Sequence, residues 1–299
     1  MSGDDRQSEL AREHKERQAR RAAEDNAKGR RNTFIGAGVA VVLVAGGIVA
    51  ATTLLGGGDS KNVSAASSPS PSASSSVSSE PEPSMTPKTG PISCTYTKDT
   101  QDVPKKFVGF PPKKPGDAMK IKTMTVVTNR GDIVIQVDPK FTPCTVNSMA
   151  FLAKKNFYDN TKCHRLVVPE NSGLFLLQCG DALAKADGKN PTDGQGTAGY
   201  VYGDEAAGAM PYSRGVVFLT QPTDAQGQNS SQFAISMSNE NTQLDPAYSI
   251  LGMVTSGLEI IEKAAKEGFI VNPDDVTGDG GSTAPKNPFI IKDVKMSTK

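Results

Sequence analysis

The sequence predicts a mainly β domain, a closed or nearly closed antiparallel barrel capped by two helices, in the second half of a 299-residue chain. Three observations predict it. From residue 121 onward the chain breaks into many short apolar-alternating runs, the period-two signature of half-buried strands. Only two stretches carry helical spacing. Many strand-like runs with so few helices suit an antiparallel sheet closed or nearly closed on itself.

Taken in order, IKTMTVVTNRGDIVIQVD reads as two strands around a turn at Asn129-Arg130-Gly131-Asp132. Thr145 to Phe157 places Val146, Met149, Phe151, Leu152 and Phe157 at the spacing of an amphipathic helix, with Thr145 as a candidate N-cap. CHRLVV, GLFLLQCGD, RGVVFLT, SQFAISM and YSILGMV follow as strands. GLEIIEKAAKEGF is the second helix, and FIIKDVKM closes the chain as a strand.

The preceding residues divide by composition. Residues 1–32 are highly charged with no apolar face, which predicts a solvated cytoplasmic tail. Residues 33–55 form an uncharged apolar stretch of 23 residues, long enough to span a bilayer. Lys28, Arg30 and Arg31 precede it and no charge follows until Asp59, so the expected orientation is N-terminus inside and the remainder exported. A secreted protein, after signal cleavage near Val49-Ala50-Ala51, is the alternative. Residues 56–93 are rich in Ser, Pro and Gly and predict a disordered tether. Residues 94–120 read as an irregular extension, and 121–299 as the globular domain.

Composition excludes several function classes. Net charge is +1, from 33 basic and 32 acidic residues, so no global field points to nucleic acid or to a membrane surface as the main partner. Two histidines argue against a His-rich metal site and most His-based catalysis. There is no GxSxG, Walker loop, HExxH or CxxC, and no cofactor or metal is implied. All four cysteines lie beyond the tether, and an even count in an exported domain suggests two disulfides. Of three possible pairings, Cys163–Cys179 on one hairpin and Cys94–Cys144 pinning the extension are favoured. The competing reading is free thiols, with Cys144 at a helix start as a redox sensor.

Four segments, taken together, resemble the cyclophilin family: CHRLVVPENSGLFLLQCGD (163–181), GQGTAGYVYGDE (194–205), RGVVFLTQPTDAQGQNSSQFAI (214–235) and LDPAYSILGMVTSGLEIIEKA (244–264). The resemblance runs from about residue 121 to 296. It implies an eight-stranded closed antiparallel barrel with two capping helices. The implied activity is peptidyl-prolyl cis-trans isomerisation of proline-containing polypeptides, which assists folding of exported proteins. Rotation about a peptide bond faces a barrier of about 18–20 kcal/mol, and uncatalysed Xaa-Pro exchange takes roughly tens to hundreds of seconds.

By the same resemblance Arg165 is the catalytic arginine and Gln178 orients it while contacting the substrate backbone. Phe175 and Leu176 floor the proline pocket, Thr220, Gln221 and Gln232 contact substrate, and Leu244 and Tyr248 wall the pocket. Gly194 and Gly196 line the neighbouring subsite, and His164 is a structural, hydrogen-bonded residue. The sequence departs from the family at Ala234, where a ring is usual, so one pocket wall is expected to be truncated. Gln243 replaces a common Trp, so cyclosporin binding is expected to be weak. A monomer is expected. The rival function is a non-catalytic scaffold that captures proline-containing segments.

Overall fold

The computed structural model describes residues 86–169, 174–221, 227–244, 247–271 and 283–299. The expectations for the tail, the apolar segment 33–55 and most of the tether lie outside the described residues. Among those described, no helix is long and apolar enough to cross a membrane.

The strands are β1 (Thr97–Lys98), β2 (Thr123–Thr128), β3 (Gly131–Gln136), β4 (Thr161–Lys162), β5 (Arg165–Val167), β6 (Leu176–Cys179), β7 (Tyr200–Val201), β8 (Val216–Leu219), β9 (Phe233–Ser236), β10 (Ile250–Ser256), β11 (Phe269–Val271), β12 (Thr283–Pro285) and β13 (Ile290–Ser297). Two α-helices lie wholly within the described residues, α1 (Pro143–Lys154) and α2 (Leu258–Lys266). Nine strands form one sheet in the order β4-β13-β2-β3-β10-β8-β9-β6-β5. Every ladder in it is antiparallel.

The sheet corrects the expected eight-stranded closed barrel: it has nine strands and is open and curled. Its two edge strands, β4 and β5, follow each other along one extended run. That run changes partner at Cys163–His164: Cys163 N–H donates to Phe289 O on the β13 side, at 2.9 Å, and His164 N–H donates to Gln178 O on β6, at 3.1 Å. The edges are therefore joined end to end by the chain and not side by side by a ladder.

The β2–β3 hairpin forms where the alternation predicts it. Thr128 pairs with Gly131 around a two-residue turn, Asn129-Arg130. Helix α1 starts earlier than expected. Pro143 occupies its first turn, where a missing N–H costs nothing, and the Thr142 side chain makes no capping bond. Thr145 is thus inside the helix, not its cap. Its N–H donates to Glu205 Oε2 at 2.7 Å, so a distant carboxylate satisfies one of the orphan donors.

Strand alternation puts Leu166, Leu177, Ile235 and Val217 in one cross-strand row on the inner face, each essentially inaccessible. Val146, Met149 and Leu152 of α1 and Ile261 and Ala264 of α2 complete the same core. Burying a Leu or Ile side chain contributes about 1.5–3 kcal/mol, so this row anchors the sheet that carries the site. Two disulfides staple the periphery. Cys94–Cys144 ties the extension to the first turn of α1, and Cys163–Cys179 ties the β4–β5 junction to the end of β6. No described cysteine is free, which removes the thiol-sensor reading.

Candidate active site

The opposite face of the same strands carries a different row. Register aligns Arg165 with Gln178, Gln178 with Ala234, Ala234 with Phe218, and Phe218 with Ile250. A guanidinium and an amide thus stand at one end of a row that turns apolar at the other. Leu176, Phe218, Ala234 and Ile250 belong to a second apolar cluster with Tyr212, and Leu244 and Tyr248 pack against its edge half-buried.

The polar end is wired by side chains. Arg165 Nη1 donates to Gln178 Oε1 at 3.3 Å. Gln178 Nε2 donates to Thr220 Oγ1 at 3.1 Å and to Gln232 Oε1 at 2.9 Å. Gln232 Nε2 in turn donates to Gly194 O and Gly196 O, both at 2.8 Å. Arg165, Gln178, Thr220, Gln232, Gly194 and Gly196 are therefore one connected network. Every amide in it has its orientation fixed by at least one partner, which pre-organises the arginine beside an apolar surface.

Two predicted residues fall elsewhere. Phe175 precedes β6 and shares the parity of Leu177, so it packs against the inner core and not beside Leu176. With Val168, Pro169, Glu262, Ala265, Lys266 and Phe269 it lines a separate cavity of about 490 Å³. Its backbone is clamped by Asn241, which accepts from Phe175 N at 2.9 Å and donates to Phe175 O at 2.6 Å. Gln221 joins a second polar cluster, donating to Asp204 Oδ1 at 2.7 Å and Asn229 Oδ1 at 3.2 Å.

Ala234 is buried within this cluster, whose rings pack closely: Tyr212 and Phe218 lie with centroids 4.4 Å apart, and Phe218 and Tyr248 stack at 5.8 Å. Tyr212 is tied to the strand end by accepting from Tyr248 N–H at 2.7 Å. It lies outside all four recognised segments, so nothing in the sequence marked it.

Asp181 was also missed. Its Oδ2 accepts from Gly194 N–H at 2.9 Å and Gly196 N–H at 3.1 Å, and its Oδ1 from Leu183 N–H at 2.9 Å. A Cβ on Gly196 would sit 2.0 Å from Asp181 Oδ1, so only glycine lets this carboxylate hold the loop. Asp181→Ala removes three charge-assisted bonds from a buried site and is expected to destabilise the domain by about 3 kcal/mol. Urea unfolding measures this, and a loss below about 1 kcal/mol would show that the loop holds its shape without the carboxylate.

His164 departs from the hydrogen-bonded role expected of it. Both ring nitrogens are buried without a hydrogen-bond partner among the described residues. Burial, with the Arg165 charge adding in the same direction against an opposing Asp193, pushes its pKa from 6.5 down to about 4. It is neutral at neutral pH and has no partner that would make it a base. Because the unfolded chain binds the proton more readily, the stability it permits is complete above pH 6.5 and is lost as pH falls toward 4, on the order of 3 kcal/mol in all. His164→Leu should flatten this slope in urea titrations across that range; equal slopes for wild type and variant would exclude His164 as its source.

The family model for cyclophilin type peptidyl-prolyl cis-trans isomerase/CLD matches residues 123–296. The chain belongs to the cyclophilin-type peptidyl-prolyl cis-trans isomerase family. It is 31% identical over 213 residues to the probable peptidyl-prolyl cis-trans isomerase B of Mycobacterium leprae (strain TN), covering 64% of this chain and 65% of that one. It is 30% identical over 195 residues to the probable peptidyl-prolyl cis-trans isomerase B of Mycobacterium tuberculosis (strain ATCC 25618 / H37Rv), covering 62% and 57% respectively. The chain thus spans 65% or less of the length of these curated relatives. A solved cyclophilin type peptidyl-prolyl cis-trans isomerase of Cryptosporidium parvum aligns at TM-score 0.45 and 23% identity, over 60% of this chain and 99% of that one.

Proposed function

We propose that this domain rotates Xaa-Pro peptide bonds in exported polypeptides, and that it does so as a monomer held at the outer face of the cell membrane by residues 33–55. The observation that carries the reading is the cross-strand row in which Arg165, fixed through Gln178, stands beside the apolar cluster of Leu176, Ala234 and Phe218. Isomerisation requires neither nucleophile nor metal. It requires that the twisted amide be bound better than either planar form. The half-buried edge of the apolar cluster, Leu244 and Tyr248, offers a seat for the proline ring. The guanidinium, always charged, donates to the prolyl carbonyl and favours a pyramidal prolyl nitrogen, which has lost amide resonance. Gln178, Thr220 and Gln232 fix the arginine and meet the substrate backbone. His164 takes no part in proton transfer, since its ring is buried and neutral.

No nucleic-acid partner is implied, and Gln243 in place of the common Trp supports weak cyclosporin affinity. The departure from the family at Ala234 favours one rival reading, a module that captures proline-containing segments without turning them over. Refolding of a protein whose slow phase is limited by proline isomerisation separates the two. An isomerase shortens the slow phase at catalytic amounts. A scaffold leaves its rate unchanged, or slows it in proportion to the protein added.

A further inference from the structure

The averaged charge of the chain conceals a local concentration. Residues 103–116, VPKKFVGFPPKKPG, carry four lysines and no carboxylate. Phe107 and Phe110 in this run are 55% and 46% exposed, and their rings meet edge to face at 5.1 Å. They are held, not dangling. Phe107 lies on Gly199, where a Cβ would sit 2.9 Å from its ring, and Phe110 lies 6.0 Å from the Tyr200 ring. Lys113 and Lys114 are exposed beyond the pair. Lys105 and Lys106 flank it on the other side and donate to the carbonyls of Gln101 and Phe157, not to carboxylates. Lys155, over the Phe151 ring against which Gly109 packs, extends the patch. Among the described residues, no ion pair involves any of these five lysines.

The patch lies where the tether joins the domain. Cys94 N–H donates to Lys113 O at 2.7 Å, and Cys94 is 39 residues beyond Leu55, the end of the apolar segment. We propose that Phe107 and Phe110, ringed by Lys105, Lys106, Lys113, Lys114 and Lys155, dock the domain onto an anionic lipid surface. The two rings enter the headgroup boundary and the lysines meet lipid phosphates. This inference rests on the membrane-anchor part of the proposed function and is independent of isomerisation.

The chain has no tryptophan, so Phe107→Trp in the full-length protein provides a single emitter. In vesicles of phosphatidylcholine mixed with phosphatidylglycerol, its emission should move to the blue and be quenched by lipids brominated along the acyl chain. Both effects should be largely lost in high salt and in the variant that also carries Lys113→Glu and Lys114→Glu. They should be absent with phosphatidylcholine alone. Emission that stays at its solvent-exposed position in a chain that floats with the vesicles would overturn the docking surface and leave the anchor standing. A chain that does not float with either vesicle would overturn both. Equal shifts in neutral and anionic vesicles would overturn the lipid-charge recognition. A shift with soluble polyphosphate but not with vesicles would identify an anionic polymer and overturn the membrane assignment.

Discussion

Arg165→Ala is expected to lower kcat/KM for Xaa-Pro isomerisation on the order of a hundredfold, while the unfolding midpoint stays near that of wild type. The effect is large because the proposed role makes Arg165 the fixed charge of the site, oriented by the network around it. Gln178 accepts from Arg165 at 3.3 Å and is itself held by Thr220 and Gln232. Removal leaves the apolar row intact, so proline-containing peptides should still bind and the loss should fall mainly on kcat. Arg165→Lys should recover little, because a single ammonium cannot reproduce the planar fork that meets both Gln178 and a prolyl carbonyl. Stopped-flow or exchange NMR on a short peptide checks both variants. Full activity of Arg165→Ala would remove Arg165 from the reaction, and full activity of Arg165→Lys would show that charge without the planar fork suffices.

The second large effect concerns the staples. Cys163 lies two residues before Arg165, and Cys179 directly follows Gln178, so this bridge spans the strand pair that presents the proposed catalytic row. On a chain-entropy account, removing it with Cys163→Ala and Cys179→Ala costs about 3 kcal/mol, given its sequence separation of 16. Isomerisation should fall as well, because the Arg165–Gln178 register loses its nearest covalent support. The Cys94–Cys144 bridge, with a separation of 50, should cost about 4 kcal/mol when removed in the same way. It ties the extension to α1, away from the row, so turnover should survive that loss. Urea unfolding and peptide turnover on both double variants give the comparison. Equal losses of turnover would mean that the site depends on overall stability and not on the local clamp.

These contrasts also show what the sequence could reveal. The β2–β3 hairpin, the strands around the site and α2 follow directly from local alternation and spacing. The structure departs from the sequence reading where a contact is long-range or where adjacent residues face opposite ways. The family resemblance pairs Phe175 and Leu176 as a pocket floor, whereas adjacent residues leading into a strand point to opposite faces and pack in different clusters. The closed barrel failed because nothing local marks the place where an extended run exchanges one partner strand for another, as it does at Cys163–His164. Thr145 resembled a cap, but Pro143 was the stronger start signal, and the actual cap is Glu205, 60 residues away. Asp181 sits inside a recognised segment, yet its hold on Gly194 and Gly196 is a tertiary fact. Ala234 suggests a missing wall, and the cluster that buries it includes Tyr212, from a stretch carrying no motif.

The central claim is that the row from Arg165 to Phe218 turns over proline bonds and does not merely bind them. Exchange NMR on a short Xaa-Pro peptide with the full-length protein in detergent micelles tests it most directly. The cis and trans resonances should exchange orders of magnitude faster than the uncatalysed rate of roughly once in tens to hundreds of seconds. Peptide resonances that shift on binding while exchange stays at the uncatalysed rate would contradict the claim and identify the domain as a proline-binding scaffold.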